Sequence, residues 1–214
     1  MSSNREPPLE LQRQIEDSIT ARNTIRNIAS DLPTTASLSS SHGRTGNTVP
    51  QNGRSPVEVE AGISPLGSKF EYLDHPADIV LHSWGIDLRE ALENLARCMF
   101  GYMTRLDSIS INEIQSSNHG TRLTAQGHDI KSLLYSYLDE WLFNFFDTGF
   151  IAKEIEITEL HKEGDDWRIV SSGKGEIMDI SRHPQGTEVK AITYSGMRVE
   201  EEQGRCDLYV VVDI

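Results

Sequence analysis

Two carboxylates and an imidazole fall within five residues at Asp74-His75-Pro76-Ala77-Asp78, and a run of β-forming residues, Ile79 to Trp84, follows before Gly85. This stretch constrains the fold more than any other. A buried carboxylate without a partner is costly, so 74–78 reads as a loop whose charged groups meet water, a counter-charge or a ligand. Residues 79–84 read as the strand that holds it. Asp87, with Glu90 three residues on, then forms a helix-start pair. Leu88, Leu92, Leu95, Met99 and Met103 recur every three or four residues, which predicts a helix with one buried stripe ending near Thr104.

The same two periodicities organise the rest of the domain. Lys69 to Leu73 alternates as a strand, and 107–117 and 120–126 read as two strands across a turn around Asn118-His119-Gly120. Gly127-His128-Asp129 introduces a second helix. Ile130, Leu134, Tyr137, Leu138, Trp141 and Phe145 line its apolar face, and Leu133, Leu142 and Phe146 widen it. These aromatics read as core. After Gly149 the pattern is all β: Ile151 to His161, a hairpin signal at Gly164-Asp165-Asp166, Trp167 to Ser171, and Gly175 to Ile180. A type I turn is expected at His183-Pro184-Gln185-Gly186, then a long strand from Val189 to Glu200, a loop over 201–205, and a last apolar strand from Leu208 to Val212. Strands joined by short turns imply mainly antiparallel sheet. The fold class is α+β, a mainly antiparallel sheet packed with two helices, spanning 67–214 and preceded by a disordered N-terminal tail. That tail, residues 1–66, has sparse apolar side chains, and from Ala29 to Pro65 it is rich in Ser, Thr, Asn, Gly and Pro without aromatics. Such a segment buries too little to offset its ordering entropy.

Charge and cysteines exclude several classes. The net charge of −13 is concentrated in the domain: 1–66 hold six basic and seven acidic residues, leaving 14 basic and 26 acidic for the other 148. An acidic domain is a poor match for direct binding to a phosphate backbone. It suits a basic protein partner or a cation, though for acidity alone simple solubility is the favoured reading. Cys98 and Cys206 form no C-x-x-C site and no disulfide framework, so a reducing compartment, cytoplasmic or nuclear, is expected. No run approaches the roughly 18 apolar residues that span a membrane, and the N-terminus lacks the apolar core of a signal peptide. There is no Gly-rich phosphate loop and no evident nucleophile–base pair.

The chain's end carries a second group of oxygens. Leu208 to Val212 anchors the terminus in the sheet, which holds the Asp213 side chain and the Ile214 α-carboxylate in place. Neighbouring like charges conflict unless a cation separates them, and a hard divalent cation prefers oxygen ligands. Asp78 is the natural third carboxylate. The other reading is a free, solvated C-terminus. Asp74 and His75 are either groups that orient the loop behind the ligands or, for Asp74, a loop cap. His75 and His82, seven apart, are expected on opposite faces, which makes His82 structural. His183 and Lys190 are open to a partner contact or to turn and strand solvation.

Phe70-Glu71-Tyr72-Leu73-Asp74-His75-Pro76-Ala77-Asp78 resembles the aspartate-histidine-threonine-alanine-aspartate signature of the archease family, accessory proteins of tRNA-splicing RNA ligases. His82-Ser83-Trp84-Gly85, Met99-Phe100-Gly101-Tyr102-Met103, Leu138-Asp139-Glu140-Trp141-Leu142, the segment from His183 to Tyr194, and the terminal Val212-Asp213-Ile214 also match. Pro76 stands where Thr is usual. The resemblance covers roughly 69–214 and leaves out the tail. It implies a divalent cation, calcium in the first instance and magnesium or manganese otherwise, held by Asp78, Asp213 and the Ile214 carboxylate. It implies an RtcB-type RNA ligase or its complex as the partner, with indirect contact to tRNA and no small-molecule substrate. It further implies an activator that promotes guanylylation of the ligase and its multiple turnover, with no ligation chemistry of its own. A chaperone-like binding protein for RNA-processing enzymes is the alternative, and a small metal-dependent hydrolase built on Asp74, His75 and Asp78 is the third reading.

Overall fold

The computed structural model describes residues 67–76, 78–114 and 122–214. The expected disorder of 1–66 and the turn around Asn118-His119-Gly120 lie outside the described residues. Within them, strand β1 (Phe70–His75) turns through Pro76 into β2 (Asp78–Gly85), and helix α1 (Leu88–Met103) follows. Asp87 caps α1 by accepting from the Glu90 amide at 2.9 Å. A 3-10 turn at Leu106–Ser108 leads on to β3 (Leu123–Gly127) and helix α2 (Ile130–Thr148). Asp129 and Ser132 cap α2 reciprocally, and Gly149, at φ 72°, closes it in the left-handed conformation that a residue without Cβ adopts cheaply. Strands β4 (Phe150–Glu163), β5 (Asp166–Ile177), β6 (Ala191–Ile192), β7 (Arg198–Glu202) and β8 (Arg205–Asp213) complete the domain.

The strands form two antiparallel sheets. One runs β1-β2-β8-β6, with β7 also on β8, and the other runs β3-β5-β4. Alternation along β2 and β8 sends Ile79, Leu81, Leu208, Val210 and Val212 into the core. Each helix touches both sheets: α1 packs on β1, β2, β8 and β4, and α2 on β3, β5, β4, β6 and β7. Trp141, wholly buried, meets Phe100 edge-on across the helix pair. Helix α1 also covers the open edge of β4, where Arg89 donates to the Ile157 carbonyl and the Ile157 amide donates to Glu93 Oε1. Two buried atoms that would otherwise pair with another chain are thereby satisfied. No helix among the described residues is long and apolar enough to cross a membrane.

Five expectations are corrected. The strands expected at Trp167–Ser171 and Gly175–Ile180 are one strand, β5, and most of the loop expected over 74–78 is strand, since β1 runs to His75 and β2 begins at Asp78. Over 107–114 the chain completes a 3-10 turn, runs irregularly over 109–112 and is helical at Glu113 and Ile114, since the Ser110 amide bonds the Glu176 side chain and Asn112 the Gly175 carbonyl in place of a regular ladder. The single strand expected over 189–200 is two short strands, β6 and β7, divided by a turn at Gly196 with φ 60°. The type I turn expected at 183–186 lies earlier: the Arg182 and His183 amides both bond the Asp179 carbonyl, and the chain then runs extended. This segment, 183–190, is a strap over the C-terminal end of α1. Gly186 and Thr187 donate to the Met103 and Tyr102 carbonyls, which a helix end leaves without intrahelical partners. A Cβ at Gly186 would overlap the Tyr102 carbonyl oxygen. Gly186→Ala is therefore expected to destabilise the domain by about 1–3 kcal/mol, measured by urea unfolding; an unchanged midpoint would show that the strap does not press on the helix end.

Candidate functional site

The register of β2 on β8 runs without a slip from Gly85↔Cys206 to Asp78↔Asp213. Asp78 and Asp213 are thus direct cross-strand partners on one face, where Cβ atoms stand about 4.5–5.5 Å apart. The row extends to His75 on β1, opposite Asp78, and to Ala191 on β6, opposite Asp213. Asp78 Oδ2 lies 3.4 Å from His75 Nδ1. Alternation sends the next residue, Ile214, the other way, and its side chain is half-buried against the core. The Lys190 amide donates to the Asp213 carbonyl at 2.8 Å and fixes the strand end.

Two carboxylates directly across a sheet repel each other. Among the described residues no three His, Cys, Asp or Glu side chains form a metal-binding group, so the side-chain pair alone is an incomplete shell. With the Ile214 carboxylate the set is three oxygen-bearing groups at one sheet corner, with an imidazole behind them. That donor chemistry fits a hard, oxygen-preferring cation better than a soft one.

Further along the same face lies a fully compensated cluster. His82, only 6% exposed, places Nδ1 at 2.7 Å from Glu71 Oε1 and Nε2 at 2.8 Å from Asp207 Oδ1, so it ties β1, β2 and β8 together. Its ring stacks on Tyr209 at 4.1 Å, and the Arg198 guanidinium lies 3.8 Å from the centre of the same tyrosine ring. Arg205 bonds both oxygens of Asp207. This bidentate grip, aided by His82 and opposed by desolvation, holds the Asp207 carboxyl down at about 2.

The structure pairs Asp78 with Asp213, the residue before Ile214, and sets His75 beside Asp78. Asp74 takes the opposite parity to His75 and stands exposed beside the turn. The expected separation of His75 and His82 onto opposite faces is corrected. They sit on different strands: His75 pairs with Asp78, and His82 lies on β2 at the same parity as Asp78, so they share a face. Glu71, Arg205, Asp207 and Tyr209 were missed by sequence reasoning. The odd-numbered polar residues flanking Leu208 and Val210 were the available signal, hidden because Val211 makes 208–212 look uniformly apolar.

The fold and the site define a mixed α+β domain with an acidic corner at one end of its first sheet. The model of the Archease protein family matches residues 70–214. Protein archease of Danio rerio is 44% identical over 157 residues, covering 73% of this chain and 91% of that protein. An archease-like protein of Dictyostelium discoideum is 46% identical over 153 residues, covering 72% and 97%. The solution structure of protein 1598 of Methanobacterium thermoautotrophicum superposes with a TM-score of 0.55 at 28% identity, covering 69% of this chain and 99% of that one. The chain belongs to the archease family.

The depressed Asp207 carboxyl has a pH signature. A folded-state value below the ordinary 3.8 adds stability above that value, which is lost as pH falls toward about 2. Asp207→Asn should therefore be less stable than the parent at neutral pH, with the gap narrowing between pH 3.8 and about 2. Urea midpoints across that range check it; a gap independent of pH would refute the charge assignment.

Proposed function

We propose that this protein is a cation-carrying accessory factor that activates an RtcB-type RNA ligase, promoting its guanylylation and its multiple turnover. The observation that carries the reading is the cross-strand pairing of Asp78 with Asp213 beside the Ile214 carboxylate, in a chain of the archease family. In this reading the three carboxylates hold a divalent cation, calcium first, with magnesium or manganese as alternatives. When bound, the cation would supply positive charge near a nucleotide's phosphates. The chain's own part is binding and presentation. β2 and β8 hold the two side chains in register, His75 flanks them, and the Lys190 amide pins the strand end. No bond-making is assigned to the protein itself.

Charge supports a protein partner. The 148 residues after 66 carry 14 basic and 26 acidic groups, and an acidic corner is steered toward a basic RNA- and nucleotide-binding cleft. Contact with tRNA is then made through the ligase. Cys98 and Cys206 are both free and buried, in keeping with work in the cytoplasm or the nucleus.

Asp78→Ala should weaken calcium binding by at least about tenfold and lower multiple-turnover ligation, with single-turnover ligation affected less. A chain extended by two residues beyond Ile214 should show the same loss, because the α-carboxylate moves away. Calorimetric calcium titration and ligation time courses with limiting ligase measure both. Full stimulation by both variants would refute the reading. Suppression of client aggregation that survives chelation would favour the chaperone-like alternative.

A further inference from the structure

The strap 183–190 ends on the Asp213 carbonyl, and its beginning is locked in an unusual way. Glu176, on β5 and 5% exposed, accepts from the Ser110 amide at 2.6 Å, from Arg182 at 2.9 Å, and faces His183 Nε2 at 3.2 Å. His183 is only 2% exposed, and its Nδ1 accepts from the Asp179 amide at 3.0 Å. An amide can only donate, so Nδ1 carries no proton and the ring proton on Nε2 points at Glu176. The tautomer is thus set by the backbone. Burial alone would raise the Glu176 carboxyl; the Ser110 amide, the Arg182 bond and the nearby charges outweigh it and hold the group below its ordinary value.

From this anchor the chain has little freedom. The Pro184 carbonyl accepts from Thr104 Oγ1 at 2.7 Å, Gly186 and Thr187 bond the end of α1, Val189 is wholly buried, and the next amide, Lys190, reaches Asp213. We infer that His183 is a positioning residue. Through its Nε2–H bond to Glu176 it fixes the strap whose far end, the Lys190 amide, holds Asp213 in register beside Asp78. This deepens the reading under Proposed function and rests on it for the cation, though the strap itself does not.

Two substitutions separate the contacts. His183→Gln can still donate to Glu176, whereas His183→Asn can still accept from the Asp179 amide but does not reach Glu176. Hydrogen exchange of the Lys190 amide is the first measurement, with the core amides of Leu138 and Leu142 in α2 as internal reference. The Asn variant should exchange Lys190 about tenfold faster or more, the size expected for losing a hydrogen bond to a charged group. The Gln variant should stay within about threefold of the parent, and the α2 amides should keep their rates in both. The inference is overturned if Lys190 exchange in the Asn variant matches the parent, if Gln is no better than Asn, or if the α2 amides accelerate by the same factor. Calcium titration is the second measurement. The Asn variant should bind roughly tenfold more weakly than the parent while Gln does not; equal affinities would remove the link to the site. If the parent itself binds no calcium, the cation reading fails, and Lys190 exchange alone decides the strap.

Discussion

The pairing of β2 with β8 is the constraint on which the rest depends. Ile79, Leu81 and Ser83 must face α1 together with Val212, Val210 and Leu208, and a shift of one residue would turn that whole set toward solvent. The core therefore pins the register tightly. Because the side-chain period is two, the same register leaves Asp78 and Asp213 no alternative to sharing the outer face. The acidic corner is a by-product of apolar packing along the paired strands, not of any attraction between its members.

Such a corner is locally unfavourable, and the surrounding structure has to hold it. β8 is hydrogen-bonded on both sides, by β2 and by β6 and β7, so its last residues cannot fray as a terminus otherwise does. His82 crosslinks the three strands two rows away through Glu71 and Asp207. The strap, anchored at His183 and Val189, holds β8 from the other edge. The support thus follows packing rules that the corner itself does not.

Much of this was legible in the sequence, and the limits have physical causes. The helices were readable because 3.6-residue apolar stripes and the caps at Asp87 and Asp129 agree locally. The β4–β5 hairpin was readable because Gly164, at φ 64°, makes a tight turn between alternating runs. The three carboxylates were recognisable as candidates from their placement at strand ends. Their partnership was not derivable from spacing, since Asp78 and Asp213 lie on strands separated by most of the domain and only the long-range register joins them. The strap escaped detection because its hydrogen bonds go to a helix end, which leaves no periodic trace. Glu176 escaped because a lone glutamate at the end of a strand looks solvated until the Ser110 amide, Arg182 and His183 are seen around it.

The domain's acidic residues divide by what stands opposite them, and this separates architecture from site. Glu176 and Asp207 each face a guanidinium and a histidine, and Asp207 is held low chiefly by its arginine. Asp179 bonds the amide and hydroxyl of Ser181 and the guanidinium of Arg182. Their charges are already spoken for, and each serves to tie one segment to another. The row at the corner differs: across the sheet from the Asp78–Asp213 pair stand only His75 and Ala191. No arginine or lysine of the row completes it, and the small alanine leaves the Asp213 side open. Under the cation-carrying reading proposed above, this is the row that a positive charge from outside would complete.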